Sequence, residues 1–319
     1  MKALTFSTFG GPEVLEYIDI LTPVLQPGEL LVEMKAIGLN FADVYRRKGN
    51  YHLKGTPPFI AGYEGAGVVI NANNNPDFKI GDRIGFADVP FANAEMVAVP
   101  VDHAIPLPAN ISFETAASVL LQGLTAQYLA TDSHQTKAGE VVLIHACAGG
   151  VGQLLTQISK LLGAKTIGLT SSAEKAATAI QNGIDKVFLY QDDWKNEVLS
   201  FCNNGVDVVY DSIGSTLQDS FEVTKNCGQA VFFGMAGGDP AFVDPRMLMD
   251  TSKTLTGGDL WSYLTSKEQR IKRASQLFTW ISNNEIAISP PTVFKLADGK
   301  EAHTFLESRK SNGKIILIP

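Results

Sequence analysis

Cysteine is scarce in this sequence: Cys147, Cys202 and Cys227 are the only three among 319 residues. They stand far apart and form no C-x-x-C pair. That excludes a disulfide framework and a thiolate metal site, and makes a reducing cytoplasm the expected compartment. No run of about 18 apolar residues exists, so no membrane-spanning helix is expected. The opening KALTFSTFG has no charged segment leading into an apolar one, so no secretory signal is expected. Charge of one sign is nowhere concentrated; the formal net charge of −7 is scattered along the chain. An acidic balance without a basic face argues against nucleic acid as a partner. Internal repeats and low-complexity segments are also missing. What is present is an ordinary globular composition, 45% apolar and 18% charged, with length enough for two cores.

The first third reads as short strands. LLVEMKAIGLN (30–40), GAGVVINA (65–72) and AEMVAVP (94–100) are apolar and β-branched, and Gly, Pro, Asn and Asp clusters punctuate them at 27–29, 73–77 and 80–85. This is the pattern of a compact, mostly antiparallel barrel or sandwich. After residue 112 the style changes. Residues 114–131 have helical apolar spacing behind Ser112, an N-cap type. EVVLIHA (140–146) is a continuous apolar strand. In the helix that follows, Val151, Leu154, Leu155, Ile158, Leu161 and Leu162 share one face, and Gly163 stands where a terminating glycine belongs. AKTIGLT (164–170), DKVFLY (185–190), VDVVYDS (206–212), QAVFFG (229–234) and KTLTGG (253–258) continue the series of strands. Apolar strands alternating with helices predict a parallel sheet covered on both faces. A helix over about 267–284 and a closing strand, KIILIP, return to the first style, and that strand is expected to pair with the N-terminal barrel.

The sharpest motif is Ala146-Cys147-Ala148-Gly149-Gly150-Val151-Gly152, set between a buried strand and a helix. Glycines let the backbone turn tightly and approach a pyrophosphate, and the helix N-terminus offers unpaired N–H groups to the anion. The alternative is a strand–helix turn with no ligand. The next strand ends in Thr170-Ser171-Ser172, with no carboxylate for a ribose 2′-hydroxyl and with Lys175 close by. That favours NADPH over NADH; the alternative for Lys175 is a solvated surface lysine. Cys147 reads either as an oxidisable thiol near a helix N-terminus or as a small residue in place of alanine, and the turn's tolerance of small side chains favours the second.

HACAGGVGQ, LGAKTIGLTSSAEK, VVYDSIG and ESRKSNGKIILIP, with the opening MKALTFSTFGGPEVLEY and Leu39-Asn40-Phe41-Ala42-Asp43, resemble the bacterial quinone oxidoreductase and zeta-crystallin family over essentially the full chain. The resemblance implies an α/β fold: a Rossmann-type doubly wound parallel sheet plus a GroES-like, mostly antiparallel β-barrel catalytic domain. The expected division is 1–123 and 263–319 for the catalytic domain and 124–262 for the NADPH-binding domain. It implies NADPH-dependent reduction of quinones or related enones, and a homodimer. KTLTGG, as an edge strand, offers a pairing surface for that dimer.

By matching positions the resemblance implies Asn40, Tyr45 and Tyr51 beside the nicotinamide and substrate. Asn40 and Tyr45 are also cofactor contacts. Ala148, Gly149, Gly150 and Val151 form the pyrophosphate turn. Ser171, Ser172, Lys175 and Tyr190 group around the 2′-phosphate. Thr125, Ser212, Phe233, Gly234, Met235 and Arg309 are further cofactor contacts. Gly257-Gly258-Asp259 departs from a bacterial relative that carries an arginine there. Zinc-dependent relatives place Cys where Asn40 stands and His where Tyr63 stands, and neither residue here is a zinc ligand. None of His52, His103, His134, His145 and His303 has metal-ligand spacing, and residues 84–99 lack the cysteines of a structural zinc lobe. Glu64 is expected to be structural. Without a metal, reduction of an electron-poor acceptor is the expected chemistry, because alcohol oxidation has lost its Lewis acid. An alkenal or enoyl-thioester reductase, or a non-catalytic NADPH-binding redox sensor, are the alternatives.

Overall fold

The computed structural model describes every residue from Met1 to Pro319. The chain forms two compact units: residues 1–121, 264–284 and 288–319 make the first, and residues 122–263 with 285–287 the second.

The first unit opens with β1 (Lys2–Phe6), β2 (Glu16–Asp19) and β3 (Glu29–Leu39). Then come α1 (Phe41–Arg47), β4 (Phe59–Ile60), β5 (Glu64–Asn71), β6 (Arg83–Ala87), β7 (Met96–Pro100), β8 (Ile105–Pro106) and α2 (Phe113–Tyr128), whose residues from Gln122 onward belong to the second unit. β1 lies between β2 and β4 in a small antiparallel sheet. β3 organises the larger sheet. It pairs antiparallel with β5 along most of its length and with β7 at its start. Leu30, Val32, Met34, Ile37 and Leu39 of β3 pack with Phe6, Ile84, Phe86 and Val99 in one core. Each such side chain stabilises the fold by about 1.5–3 kcal/mol when fully buried. Ser112 caps α2, its Oγ accepting the Thr115 N–H at 3.0 Å. Beyond Tyr128 the helix relaxes into a π-type turn over Leu129–Ser133.

The second unit alternates as the sequence predicts. It runs β9 (Val141–Ile144), α3 (Gly150–Leu161), β10 (Lys165–Thr170), α4 (Ala173–Gln181), β11 (Lys186–Leu189) and α5 (Trp194–Phe201). It continues with β12 (Val206–Asp211), α6 (Leu217–Val223), β13 (Thr224–Phe232), α7 (Pro245–Thr251) and β14 (Thr254–Gly257). All neighbouring strands are parallel, in the order β11-β10-β9-β12-β13-β14. Counted within the unit, that is 3-2-1-4-5-6, the doubly wound order whose ligand crevice lies at the carboxyl ends of its first and fourth strands. Gly163, at φ +86°, terminates α3 as its position suggests. One strand is longer than its apolar run. β13 begins at Thr224 rather than Gln229, because a bulge with Cys227 at φ +63° takes up the slack against β12.

The chain then returns to the first unit as α8 (Lys267–Ser282), β15 (Thr292–Lys295), α9 (Gly299–Glu307) and β16 (Ile315–Ile318). β16 lies between β15 and β3, with Ile315 opposite Leu39. No helix is long and apolar enough to cross a membrane.

Candidate active site

At the carboxyl end of β9 the backbone is held from both sides. His145 N–H reaches Tyr210 O of β12, and Cys147 N–H reaches Leu169 O of β10, each at 3.0 Å. Between them Ala146 adopts φ +48°, a left-handed conformation that an L-residue enters at some cost. Gly149 N–H closes the turn on Ala146 O at 2.8 Å, and α3 starts at Gly150. The glycines have separate reasons. A β-carbon on Gly150 would lie 1.8 Å from Gln122 Oε1, and one on Gly152 would lie 2.5 Å from Ala146 O. A β-carbon on Gly149 would meet only Ala146 O, at 3.1 Å, so that side of the turn is open. An open backbone turn leading into a twelve-residue helix suits a dinucleotide pyrophosphate, so the residues present fit such a cofactor.

Cys147 is wholly buried, and burial pushes its thiol up to about 12. The thiolate is the oxidisable form, so the small-residue reading of Cys147 stands.

The other second-unit candidates gather at neighbouring strand ends. Phe233 N–H donates to Asp211 O at 2.9 Å, and Ala236 N–H donates to Ser212 O at 3.1 Å. A β-carbon on Gly234 would lie 3.0 Å from Ser212 O, so Ser212, Phe233, Gly234 and Met235 share one backbone crossing. Thr125 is buried on α2, one helical step from Gln122. Ser171 is exposed just past β10. Ser172 caps α4, its Oγ accepting the Lys175 N–H at 3.3 Å, so Lys175 stands in that helix's first turn. Tyr190 differs from its neighbours. Its hydroxyl is within 3.0 Å of both Ala146 N and His145 Nδ1, beneath the glycine turn. At Gly257 a β-carbon would meet nothing within 4 Å.

In the first unit Asn40 sits at the N-terminus of α1 and is 4% exposed. Its Nδ2 donates to Glu64 Oε2 at 2.8 Å and to Gly38 O at 3.4 Å. Its Oδ1 accepts from Lys314 Nζ at 2.8 Å. Lys314 also binds Glu64 Oε2, while Glu64 Oε1 accepts the Leu121 N–H at 2.7 Å. A β-carbon on Gly38 would lie 2.1 Å from Glu64 Oε2. Asn40 therefore holds the end of β3 against β5 and β16. The ammonium of Lys314 also disfavours a second cation at this place.

Tyr45 and Tyr51 are brought together, edge to face at 6.2 Å between ring centroids. Buried Arg46 stands 3.5 Å from the Tyr63 ring centroid and 5.1 Å from that of Tyr51, and its Nη1 is 3.2 Å from Asp43 Oδ1. Such a stacked guanidinium is a strong cation–π contact. Burial raises the carboxyl pKa of Asp43, with Arg46 acting against that rise. Arg309 is exposed after α9 at φ +58°, away from the Asn40 cluster in sequence but in the same unit. Lys314 and Arg46 are the residues that sequence reasoning missed. Arg46 had a local signal, the i,i+3 spacing from Asp43; Lys314 had only its place before the closing strand.

Two protein-family models match the chain. The alcohol dehydrogenase GroES-like domain covers residues 26–138, and the zinc-binding dehydrogenase model covers residues 150–280. The chain is 38% identical to a quinone oxidoreductase of Pseudomonas aeruginosa, over 100% of this chain and 99% of that protein. This chain belongs to the quinone oxidoreductase family. The family lies in the medium-chain dehydrogenase/reductase superfamily, and its GroES-like and Rossmann-type halves correspond to the antiparallel and parallel sheets described above. Among solved structures, Escherichia coli quinone oxidoreductase complexed with NADPH superposes with a TM-score of 0.96, at 35% identity and full coverage of both chains. A 2-haloacrylate reductase from Burkholderia sp is 33% identical over 97% of this chain and 96% of its own length.

Proposed function

We propose that the protein reduces quinones with NADPH by hydride transfer and without a metal ion. The observation that carries this is the open glycine turn at the topological switch point of a 3-2-1-4-5-6 sheet, followed by a strand end that carries hydroxyls and Lys175 but no carboxylate. The backbone N–H groups of Gly149, Gly150 and Val151, with the α3 dipole, would bind the pyrophosphate. Ser171, Ser172, Lys175 and Tyr190 would recognise the 2′-phosphate, and Asn40, Tyr45, Thr125, Ala148, Ser212, Phe233, Gly234, Met235 and Arg309 would complete the cofactor contacts. When bound, NADPH supplies the hydride.

The first unit's part is to receive the acceptor. Tyr45 and Tyr51 carry hydroxyls suited to hydrogen-bond the oxyanion that reduction creates on a quinone. Arg46, which also lies over the Tyr63 ring, helps to hold the Tyr51 ring in place. Asn40, Glu64 and Lys314 form the scaffold where zinc-dependent relatives carry ligands, and no group of three or more His, Cys, Asp or Glu side chains here is arranged to hold a metal. The 2-haloacrylate reductase relative favours a second reading, an activated alkene as acceptor, which uses the same cofactor half.

We further place the enzyme in the cytoplasm, supported by three free thiols, and as a homodimer paired through β14, an edge strand of the parallel sheet. The deciding experiment runs 1,4-benzoquinone, 9,10-phenanthrenequinone, a crotonyl-thioester and an alkenal with NADPH and NADH in parallel. Fast quinone turnover with NADPH supports the proposal. Turnover of the alkenal or thioester alone selects the alternative, and tight NADPH binding without any turnover leaves a binding protein. Lys175→Ala is expected to weaken NADPH binding about 10- to 100-fold, the scale of a lost charged hydrogen bond, and to leave NADH unchanged.

A further inference from the structure

Between α1 and β4 the chain forms no helix or strand. Most of this loop is exposed, Tyr51 is half-buried, and side chains from outside it hold it down. Buried Arg46 is the centre of that hold. Asp43 fixes one end of its guanidinium: Oδ2 accepts the Asn40 N–H at 2.9 Å in the first turn of α1, and Oδ1 lies 3.2 Å from Arg46 Nη1. Nε of the same guanidinium donates to the His52 carbonyl at 2.9 Å. Its face rests on the Tyr63 ring at 3.5 Å, with the Tyr51 ring centroid at 5.1 Å. Tyr63 is anchored in turn. Its carbonyl accepts the N–H groups of Asp88 and Val89 at 2.9 and 3.2 Å, and Gly62 before it stands at φ +86°. The Tyr63 hydroxyl accepts the Lys54 N–H at 3.1 Å, so the loop is tied at both His52 and Lys54. A guanidinium is planar: it can lie flat on a ring and still donate within its own plane, which an ammonium cannot do.

We infer that Arg46 is a positioning residue for the acceptor: it fixes the 51–54 segment on Tyr63 and so sets how Tyr51 is presented. The inference rests on the reading in which Tyr45 and Tyr51 receive the quinone, and deepens it. Asp43 already compensates the Arg46 charge, so the guanidinium acts by shape and direction rather than by drawing in an anion. An acceptor then selects the ordered loop. Loosening the loop lowers the share of protein ready to bind and leaves the bound state as it was.

The test compares wild type, Arg46→Lys, Tyr63→Leu and Tyr51→Phe by amide hydrogen exchange, by NADPH titration and by quinone kinetics at saturating NADPH. Arg46→Lys keeps a cation beside Asp43 and loses the plane. Tyr63→Leu leaves both charges and removes the ring, so either variant serves if the other folds poorly. In each, exchange over residues 50–56 is expected to quicken about tenfold, the scale of a desolvated cation–π contact. Exchange in the strands of the same unit stays at the wild-type rate. The quinone KM rises by about the same factor, while kcat and NADPH affinity keep their wild-type values. Wild-type exchange over the loop in both variants overturns the inference. So does a loss shared by kcat, NADPH affinity and the unfolding midpoint, which would make Arg46 a residue of the fold alone. A quickened loop with an unchanged quinone KM overturns it as well, where Tyr51→Phe impairs turnover. If Tyr51→Phe has wild-type kinetics, or wild type reduces no quinone, the acceptor reading falls instead, and the exchange rates still decide whether Arg46 holds the loop.

Discussion

Two histidines are sealed inside this protein, one in each unit, and their surroundings are opposite. His145 has a partner on each ring nitrogen: Tyr190 on one side and Ser220 on the other. His303, on α9, has no protein hydrogen-bond partner for either nitrogen. Both are kept neutral by burial. His303 is pushed down to about 3, by burial first and then by Arg47, with Glu307 pulling the other way. Burial is thus the first cause of neutrality at both rings. Partners decide which nitrogen carries the hydrogen and what the ring can hold in place. The first-unit histidine is tolerated; the second-unit histidine organises the residues around it.

The contrast between partnered and unpartnered polar groups can be pressed hardest at Lys314. Its ammonium binds both Asn40 and Glu64. Lys314→Met leaves a buried carboxylate without its cation, and is expected to cost about 3–5 kcal/mol in denaturant unfolding. A loss under ~1 kcal/mol would show that the first unit does not depend on its ion pair.

Next is His145→Leu, which removes one hydrogen-bond partner from each of the Ser220 and Tyr190 hydroxyls, Ser220 keeping Asp211 and Tyr190 keeping the Ala146 N–H. About 1–3 kcal/mol of stability is expected to go with each, measured by the same unfolding curves.

Third comes acid. Below pH 6.5 the unfolded chain protonates at position 303, while the folded chain refuses that proton until about pH 3. The unfolded state therefore binds more protons throughout this window. Stability that is fully present above pH 6.5 drains as pH falls, by up to about 1.4 kcal/mol per pH unit from this residue. Urea midpoints at pH 7, 6, 5 and 4 in wild type and His303→Leu measure the slope, and the variant's is expected to be shallower.

The smallest effect is that of His303→Leu at pH 7. Exchanging an unpaired polar ring for an apolar side chain should fall within about 1 kcal/mol of neutral, of either sign. A large loss there would mean that His303 has a partner after all, and the contrast with His145 would collapse.

The sequence discloses what depends on local pattern and hides what depends on meetings at a distance. The parallel sheet was readable because each strand is a continuous apolar run and each helix has one apolar face. The glycine turn was readable because strand, turn and helix adjoin. The return of KIILIP to β3 was readable from its change of style. By contrast Lys314 meets Asn40 across 274 residues, and no periodicity announces it. Asn40 was placed beside the nicotinamide and substrate by resemblance alone, and nothing local announced its bonds to Glu64 and Lys314. The stacking of Arg46 on Tyr63 depends on the approach of β5 to α1. Tyr190 was expected in the 2′-phosphate group by position, while its bonds to His145 and Ala146 join residues 45 and 44 positions apart. The early start of β13 was masked by a bulge whose residues look like a turn.

Strand β16 has a consequence for how the protein is made. The parallel sheet is continuous in sequence, so its strands leave the ribosome in succession and find neighbours as they appear. β3, made early, must wait for β16 before that flank is covered, and an uncovered strand flank is sticky. During translation the first unit therefore stands open while the second is completed, and the nascent chain is most exposed to chaperones and to misassembly in that interval.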